Sequence, residues 1–471
     1  MAIHSLIPVH KLLTERDVAT WSNYWQPLND EDCTVTSQYC QAVATVMARF
    51  HHDKIKRIFL IHKDRALFLA GFLAALQVGI PVILPPSDAP GLLKDLIQPE
   101  DGLLTDQVEL LPLCSTTYVL NSLADLNNFS ESPSLLFTDF DPLERSITFY
   151  TSGSTNTPKA ISKTLRQLET EIAALEKKWG TVVLECQFFS TVPHHHIYGL
   201  LFSLLWPVCK GYRLQRQTFR CWEEIVPHIK ASDYLISSPS HLGRMPDFES
   251  KDNLRLQYAF SSGGALSFDA AQATKKALGV LPWEILGSTE TGGIAYRQQH
   301  HPAQSWTRFE GIKLIKGENE QLYLQSSYLP DNSIYETQDR IEMLDEDHFH
   351  LLGRADRIVK IEGKRVCLSD IEQKLVASDL IQQAAVIPVD TPRRQQLGAI
   401  VVLSPAGQQQ LLAQGKTYFL RELRTYLRDY FEAVVIPRRW RFMDVIPSNN
   451  QGKRPYHLLQ AYFNSKEHKQ C

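Results

Sequence analysis

The chain has little to cross-link it. Eight cysteines, Cys33, Cys40, Cys114, Cys186, Cys209, Cys221, Cys367 and Cys471, are scattered through 471 residues with no Cys-x-x-Cys pair. That argues against a disulfide framework or a cysteine zinc site, and for a reducing compartment, the cytoplasm. An excess of positive charge is missing too. The 49 lysines and arginines face 52 aspartates and glutamates, a formal charge of −3, which argues against a general nucleic-acid binder. The opening MAIHSLIPVHKLLTERD lacks a continuous apolar run, so no secretory signal is expected. One stretch, ALFLAGFLAALQVGIPVILPP at 66–86, carries no charge and has the length to cross a bilayer. Gly79 and Pro81 divide it, however, so a buried helix followed by a buried strand is expected and no membrane span. Internal repeats, heptads and low-complexity tracts are absent, which excludes solenoids and coiled coils.

What is present is ordinary globular composition, 44% hydrophobic and 21% charged, on a chain too long for one core. Up to about residue 350 short apolar strands alternate with helical stretches (RIFLIH, then DRALFLAGFLAALQVG, IPVIL, GLLKDLIQ and GLLTD), the pattern of α/β layers with largely parallel strands. Beyond Arg354 the pattern changes. RIVKIEGKRV reads as a glycine-turned hairpin, and SDIEQKLVAS as a helix opened by a Ser369/Glu372 capping box. AAVIPV and LGAIVVL read as strands and YFLRELRTYLRDYF as an amphipathic helix. The expectation is a large α/β domain of layered sheets and helices over residues 1–353, and a smaller α+β domain over 354–471.

One short stretch carries more information than its neighbours. FYTSGSTNTPKAISKT (149–164) packs Gly, Ser and Thr around a Pro-Lys pair. SITFY before it reads as a strand, and Ile161, Leu165, Leu168, Ile172 and Leu175 recur at helical spacing after it, so the loop is expected to join a strand to a helix. Hydroxyls at Thr151, Ser152, Ser154 and Thr155, the backbone around Gly153 and the cation of Lys159 could wrap an anion. An ordinary Ser/Thr turn is the equal alternative, and Pro158 before the lysine rules out a Walker loop. Elsewhere ILGSTETGG offers Thr289 and Glu290 among glycines, and a lone carboxylate beside polyphosphate is a natural Mg²⁺ ligand. ETQDRIEML carries Asp339, GRAD carries Arg354 and Asp356, and NNQGKRPY presents Lys453 on a turn-rich loop.

In this order the segments resemble the adenylate-forming superfamily: acyl-CoA synthetases, aryl-CoA ligases, acyl-carrier-protein ligases and adenylation domains. The resemblance covers most of the chain. It implies that TSGSTNTPK is a phosphate loop closed by Lys159, with Asn156 at a usual glycine, and that SSGGAL, with Gly263 and Gly264, flanks adenine. GSTE, from Gly287 to Glu290, would place Thr289 on phosphate and Glu290 on Mg²⁺. Asp339 of TQD, with Gln338 at a usual glycine, would take the ribose hydroxyls, and Arg354 ribose or phosphate. Asp356 would be the hinge, Gly363 would lie at the acceptor tunnel, and Lys453 would be the catalytic lysine, with Tyr456 at a frequently basic position. Leu286 stands where an aromatic residue commonly stacks on adenine. In PHHHIYG the resemblance makes His196 the gate of the acyl pocket. A helix-start histidine or a metal cluster are the alternatives, the latter without nearby Cys or acidic residues.

The activity so implied is ATP-dependent activation of an aryl or fatty carboxylic acid to acyl-AMP, then transfer to a thiol. The expected acceptor is the phosphopantetheine of an acyl carrier protein, with free coenzyme A as the alternative. Charge distribution points the same way: residues 354–471 hold 19 Lys and Arg against 11 Asp and Glu, a net of +8, and residues 1–353 hold 30 against 41, a net of −11. A noncatalytic nucleotide-binding or scaffold protein of the same fold would be marked by loss of Glu290 or Lys453, and both are present. A membrane transporter is a weaker reading, since the apolar run is interrupted.

Overall fold

The computed structural model describes residues 5–16, 25–26, 39–120, 137–151, 158–181, 186–246, 255–331, 333–354, 357–361, 364–390, 395–448, 454 and 456–464. The chain divides into two compact units, Met1–Lys313 with Gln325–Ser333, and Leu314–Leu324 with Ile334–Cys471.

The first unit holds two sheets. In one, Thr116–Val119, Asp101–Thr105, Arg57–Ile61, Val82–Leu84 and Ser146–Thr151 lie side by side in parallel, and Lys159–Thr164 closes the edge antiparallel to Ser146–Thr151. The long apolar stretch resolves into the helix Arg65–Val78 and the strand Val82–Leu84. Asp64 caps the helix by accepting from the amides of Ala66 and Leu67, and Gly79, at φ 83°, ends it in the left-handed conformation that glycine adopts freely. Its residues Ala66 to Leu76 are buried all round, so the charge-free sequence reflects a core helix. Each large aliphatic or aromatic side chain buried this way contributes roughly 1.5–3 kcal/mol. Among the described residues no helix is long and apolar enough to cross a membrane.

In the other sheet, Trp25–Gln26, Arg213–Gln215, Gln187–Ser190, Tyr234–Ser237, Tyr258–Ser261 and Trp283–Ser288 run parallel in that spatial order, followed by antiparallel Gly292–Arg297 and Trp306–Arg308. Parallel strands release their C-terminal loops at one edge, which is where open α/β sheets bind ligands. The helix Leu165–Trp179 is fastened to this sheet by Trp179, whose ring meets those of Phe260, Trp283, Tyr296 and Phe309 at centroid distances of 5.1–5.7 Å. Its capping box, formed by Thr164 and Gln167, fixes where it begins.

That start corrects the expectation of a strand-to-helix loop. Lys159–Thr164 is a strand, paired from Thr151↔Lys159 to Ser146↔Thr164, so the Gly/Ser/Thr stretch joins two strands of a hairpin. Ile161 belongs to the strand. Its apparent helical spacing with Leu165 is coincidental, because Thr164 is the better helix start.

In the second unit, the strand Gln321–Gln325, as far as Leu324, forms an antiparallel run with Tyr335–Met343 and His348–Arg354. The expected hairpin appears as Ile358–Ile361 paired with Lys364–Cys367. Strands Ile381–Asp390, Gln395–Leu403 and Arg439–Phe442 form a sheet whose core side chains include Val386, Ala399 and Trp440, packed with Ile371, Phe419 and Leu427. The Ser369/Glu372 capping box does not form: Leu368–Val376 starts at the N-cap Cys367, with no side-chain cap. Glu372 turns inward instead, accepting from Arg357 and from the amide of Val386, both at 2.6 Å. Compactness assigns the strands just before Arg354 to this unit because they hydrogen-bond to one another.

Candidate active site

The sequence Gly287–Gly293 builds a tight hairpin turn between Trp283–Ser288 and Gly292–Arg297. Its glycines are required by space: a Cβ on Gly287 would lie 2.3 Å from the Gly292 carbonyl oxygen. Ser288 and Thr291 close the turn, the Ser288 amide donating to Thr291 Oγ1 (3.1 Å) and the Thr291 amide to Ser288 Oγ (3.2 Å). Thr289 and Glu290 are thereby lifted, partly exposed, at its tip. The root is locked by buried Glu284, which accepts from Arg297 Nε at 2.8 Å and Gln299 Nε2 at 2.7 Å.

Lys159 stands opposite. Its ammonium lies 3.2 Å from Glu290 Oε1. Burial pushes the Glu290 carboxyl up, but its own amide, Lys159 and Ser288 outweigh that and hold it below the ordinary value. Thr151 is the cross-strand partner of Lys159, with its hydroxyl 3.5 Å from the Lys159 carbonyl oxygen. Thr151, Lys159, Thr289 and Glu290, far apart in sequence, therefore come together. Ser152, Gly153, Ser154 and Thr155 lie outside the described residues.

Neighbouring strand ends contribute as well. Tyr258–Ser261 pairs in parallel with Trp283–Ser288 and releases Gly263 and Gly264, with Gly263 at φ 86°. Ser262 ties that loop to the next strand by donating to the Ile285 carbonyl at 2.9 Å. Leu286 is half-buried beside it. Two strands further along, Gln187–Ser190 leads into Pro193–His196, and His196 is the N-cap residue of the short helix Ile197–Gly199. His194 is buried, its Nε2 2.9 Å from the His62 carbonyl oxygen. Burial pushes His194 well below the usual imidazole range and His195 down to about 4, so both are neutral near pH 7. Among the described residues no group of three or more His, Cys, Asp or Glu is placed to hold a metal ion.

In the second unit Asp339 and Arg354 are direct cross-strand partners, a pairing invisible in their sequence separation. Asp356, Gly363 and Lys453 lie outside the described residues.

Two residues of the first unit were missed from sequence. Lys163, 3% exposed, donates to the Glu290 carbonyl (2.7 Å) and the Tyr328 carbonyl (2.8 Å). Glu171, also buried, accepts from the Gly293 amide at 2.7 Å. The available signal was a carboxylate on the apolar face of the helix, between Leu168 and Ile172.

Comparison with known proteins identifies the family. Residues 111–315 match the family model described as AMP-binding enzyme, and residues 370–453 that described as AMP-binding enzyme C-terminal domain. The chain belongs to the AMP-binding, adenylate-forming superfamily of enzymes. Among its relatives, 4-coumarate–CoA ligase of Cereibacter sphaeroides is 26% identical over 308 residues, 65% of this chain and 69% of that one. Tyrocidine synthase 3 of Brevibacillus parabrevis is 29% identical over 132 residues, 28% of this chain and 2% of that one. The fold is shared with a benzoate CoA ligase from Burkholderia xenovorans LB400, at TM-score 0.79 and 16% identity over 96% of this chain and 99% of that one.

Proposed function

We propose that the protein uses ATP to activate an aryl or fatty carboxylic acid as acyl-AMP and then passes the acyl group to a thiol, as an acid–thiol ligase. The observation that carries this reading is the meeting of Lys159 with Glu290 at the hairpin tip, beside the loops of parallel strand ends. A carboxylate attacking the α-phosphorus of ATP is an anion approaching an anion, so catalysis rests on placed cations. Carboxylate oxygen and α-phosphorus form a bond while pyrophosphate leaves with the electron pair of the bond it breaks. A thiolate then attacks the acyl carbon and expels AMP.

In this scheme Lys159, 60% exposed, faces the phosphates, and Thr151 and Thr289 supply hydroxyl donors. Glu290 suits Mg²⁺: it is a single carboxylate, kept ionised, 22% exposed and paired with an exposed lysine, and Mg²⁺ favours one or two carboxylates completed by phosphate oxygens. Bound there, the metal would offset phosphate charge. Gly263 and Gly264 leave room for the base, and Asp339 with Arg354 takes the ribose. Neutral His195 and half-buried His196 mark the way to the acyl pocket. Lys453 serves the adenylation step, Asp356 the pivot between the domains 1–353 and 354–471, and Gly363 the thiol step, one site thus running two half-reactions.

For the acceptor we favour the phosphopantetheine of an acyl carrier protein over free coenzyme A. The net charge of +8 beyond residue 353 supports it, as does the clustering of Arg424, Arg428 and Arg438. Arg424 is pushed below the usual guanidinium value by burial and by those two like charges. Arg439 and Arg441 are tied to the carbonyls of Phe463 and Tyr462, and so belong to the fold more than to a docking face. Coenzyme A is favoured by the kinship with 4-coumarate–CoA ligase. Carboxylate-dependent pyrophosphate exchange across aryl and fatty acids tests the first step, and loss of exchange with every acid overturns it. Competition between carrier protein and coenzyme A for the preformed adenylate decides the second.

A further inference from the structure

Glu290 is held from behind as well as from in front. Lys163, four residues beyond Lys159 on the same strand, reaches the backbone carbonyl of Glu290 at 2.7 Å. Its other partner is the Tyr328 carbonyl, which also accepts from Gln167 Nε2 at 3.0 Å. Three residues past Glu290, the Gly293 amide donates to Glu171 Oε1. The fit is close: a Cβ on Gly292 would fall 2.6 Å from Glu171 Oε2, and Gly292 sits at φ 68°, so only glycine admits the carboxylate here without strain. A cation thus grips one end of Glu290–Gly293 and an anion the other. Both belong to the continuous strand and helix Lys159–Trp179, which the rings around Trp179 anchor.

Neutral carbonyls and one amide do not by themselves warrant two buried charges, since burying each is costly. Lys163 is driven down to about 8 by burial, offset by the charges of Glu171 and Glu290, and Glu171 is driven up by burial, offset by the Gly293 amide and by Lys163. What the charges add is direction: the ammonium orients the Glu290 carbonyl, and the carboxylate orients the Gly293 amide.

We propose that Lys163 and Glu171 are positioning residues that hold Glu290–Gly293 at both ends and so set where the Glu290 carboxylate meets the metal of a bound nucleotide. The proposal rests on the reading of Glu290 as a metal ligand. The test is binding of a nonhydrolysable ATP analogue, measured calorimetrically with and without Mg²⁺, in wild type, Lys163→Met, Glu171→Gln and the double variant. Glu171→Gln keeps the shape and the acceptor for Gly293, so it reports even if Lys163→Met does not fold. Expected is an at least fivefold loss of the Mg²⁺-dependent gain in affinity for Lys163→Met, and a smaller loss for Glu171→Gln. The double variant should lose less than the product of the two, since the charges compensate each other. Metal-free binding should change less than twofold throughout. A folded Glu171→Gln with the Mg²⁺ gain of wild type overturns the proposal. So does an equal weakening of binding with and without metal, which is what a general loss of packing gives. Wild type that gains nothing from Mg²⁺ overturns instead the assignment of Glu290 itself.

Discussion

The two ends of the strand Lys159–Thr164 present lysines to the same residue from opposite sides. Lys159, at the outer end, is 60% exposed and meets the Glu290 carboxylate. Lys163, at the inner end, is 3% exposed and meets its carbonyl. Exposed ion pairs contribute about 0–1 kcal/mol because water screens them and the side chains lose freedom. A buried donor removed from its acceptors leaves about 1–3 kcal/mol of unsatisfied polar groups behind. The outer lysine is therefore available for chemistry and nearly irrelevant to folding, and the inner one is the reverse.

The largest effect should come from a third lysine outside this pair. Lys453→Ala should lower acyl-adenylate formation by about 100- to 1,000-fold, the scale of a lost electrostatic contact in the transition state, while thioester formation from supplied acyl-AMP changes little. Equal loss in both half-reactions would remove Lys453 from the adenylation step. Next, Lys159→Met should reduce pyrophosphate exchange by about 100-fold and shift the urea-unfolding free energy by less than about 1 kcal/mol. A large stability loss would erase the contrast with Lys163. Lys163→Met should cost about 2 kcal/mol in the same unfolding measurement near pH 7.

The pH dependence sharpens the comparison. The folded-state value of Lys163 is lowered from 10.5 to about 8, so between those values the unfolded chain binds more protons than the folded one. The penalty for burying the ammonium is present in full below about pH 8 and is relieved as the pH rises toward 10.5. Urea melts of wild type and Lys163→Met at about pH 7.5 and about pH 9.5 should show the gap widening in favour of wild type by about 2 kcal/mol. A constant gap would mean that Lys163 keeps an ordinary affinity for its proton. The smallest effect is expected in the second unit, where Arg428→Glu with Arg438→Glu should raise the carrier-protein KM by about tenfold at low salt, fading as the Debye length shortens. Pyrophosphate exchange should be unaffected.

Much of the architecture was legible because it is written in local patterns. Gly79 and Pro81 split the apolar run where the helix ends and the next strand begins, and the change of character near Arg354 marked a differently built C-terminal region. The hairpin at Lys159–Thr164 was not legible. Ile161 and Leu165 satisfy a helical period as well as they satisfy a strand followed by a capped helix, and cross-strand pairing with Ser146–Thr151 decided between them. Ser369 and Glu372 met the spacing of a capping box, yet the demand of half-buried Arg357 and of the Val386 amide drew Glu372 inward.

By itself the sequence determined the family, through motifs whose order and residue types the chemistry of adenylation requires, and it singled out Lys159, Thr289 and Glu290 as reactive candidates. Their meeting at a hairpin tip depended on the packing of two sheets, since Lys159 begins the edge strand of one and Glu290 tips a hairpin of the other, which no linear spacing records. The roles of Lys163 and Glu171 were decided only by tertiary structure. A charge on an apolar face is informative once its partners are known, and here the partners are backbone groups more than 120 residues away.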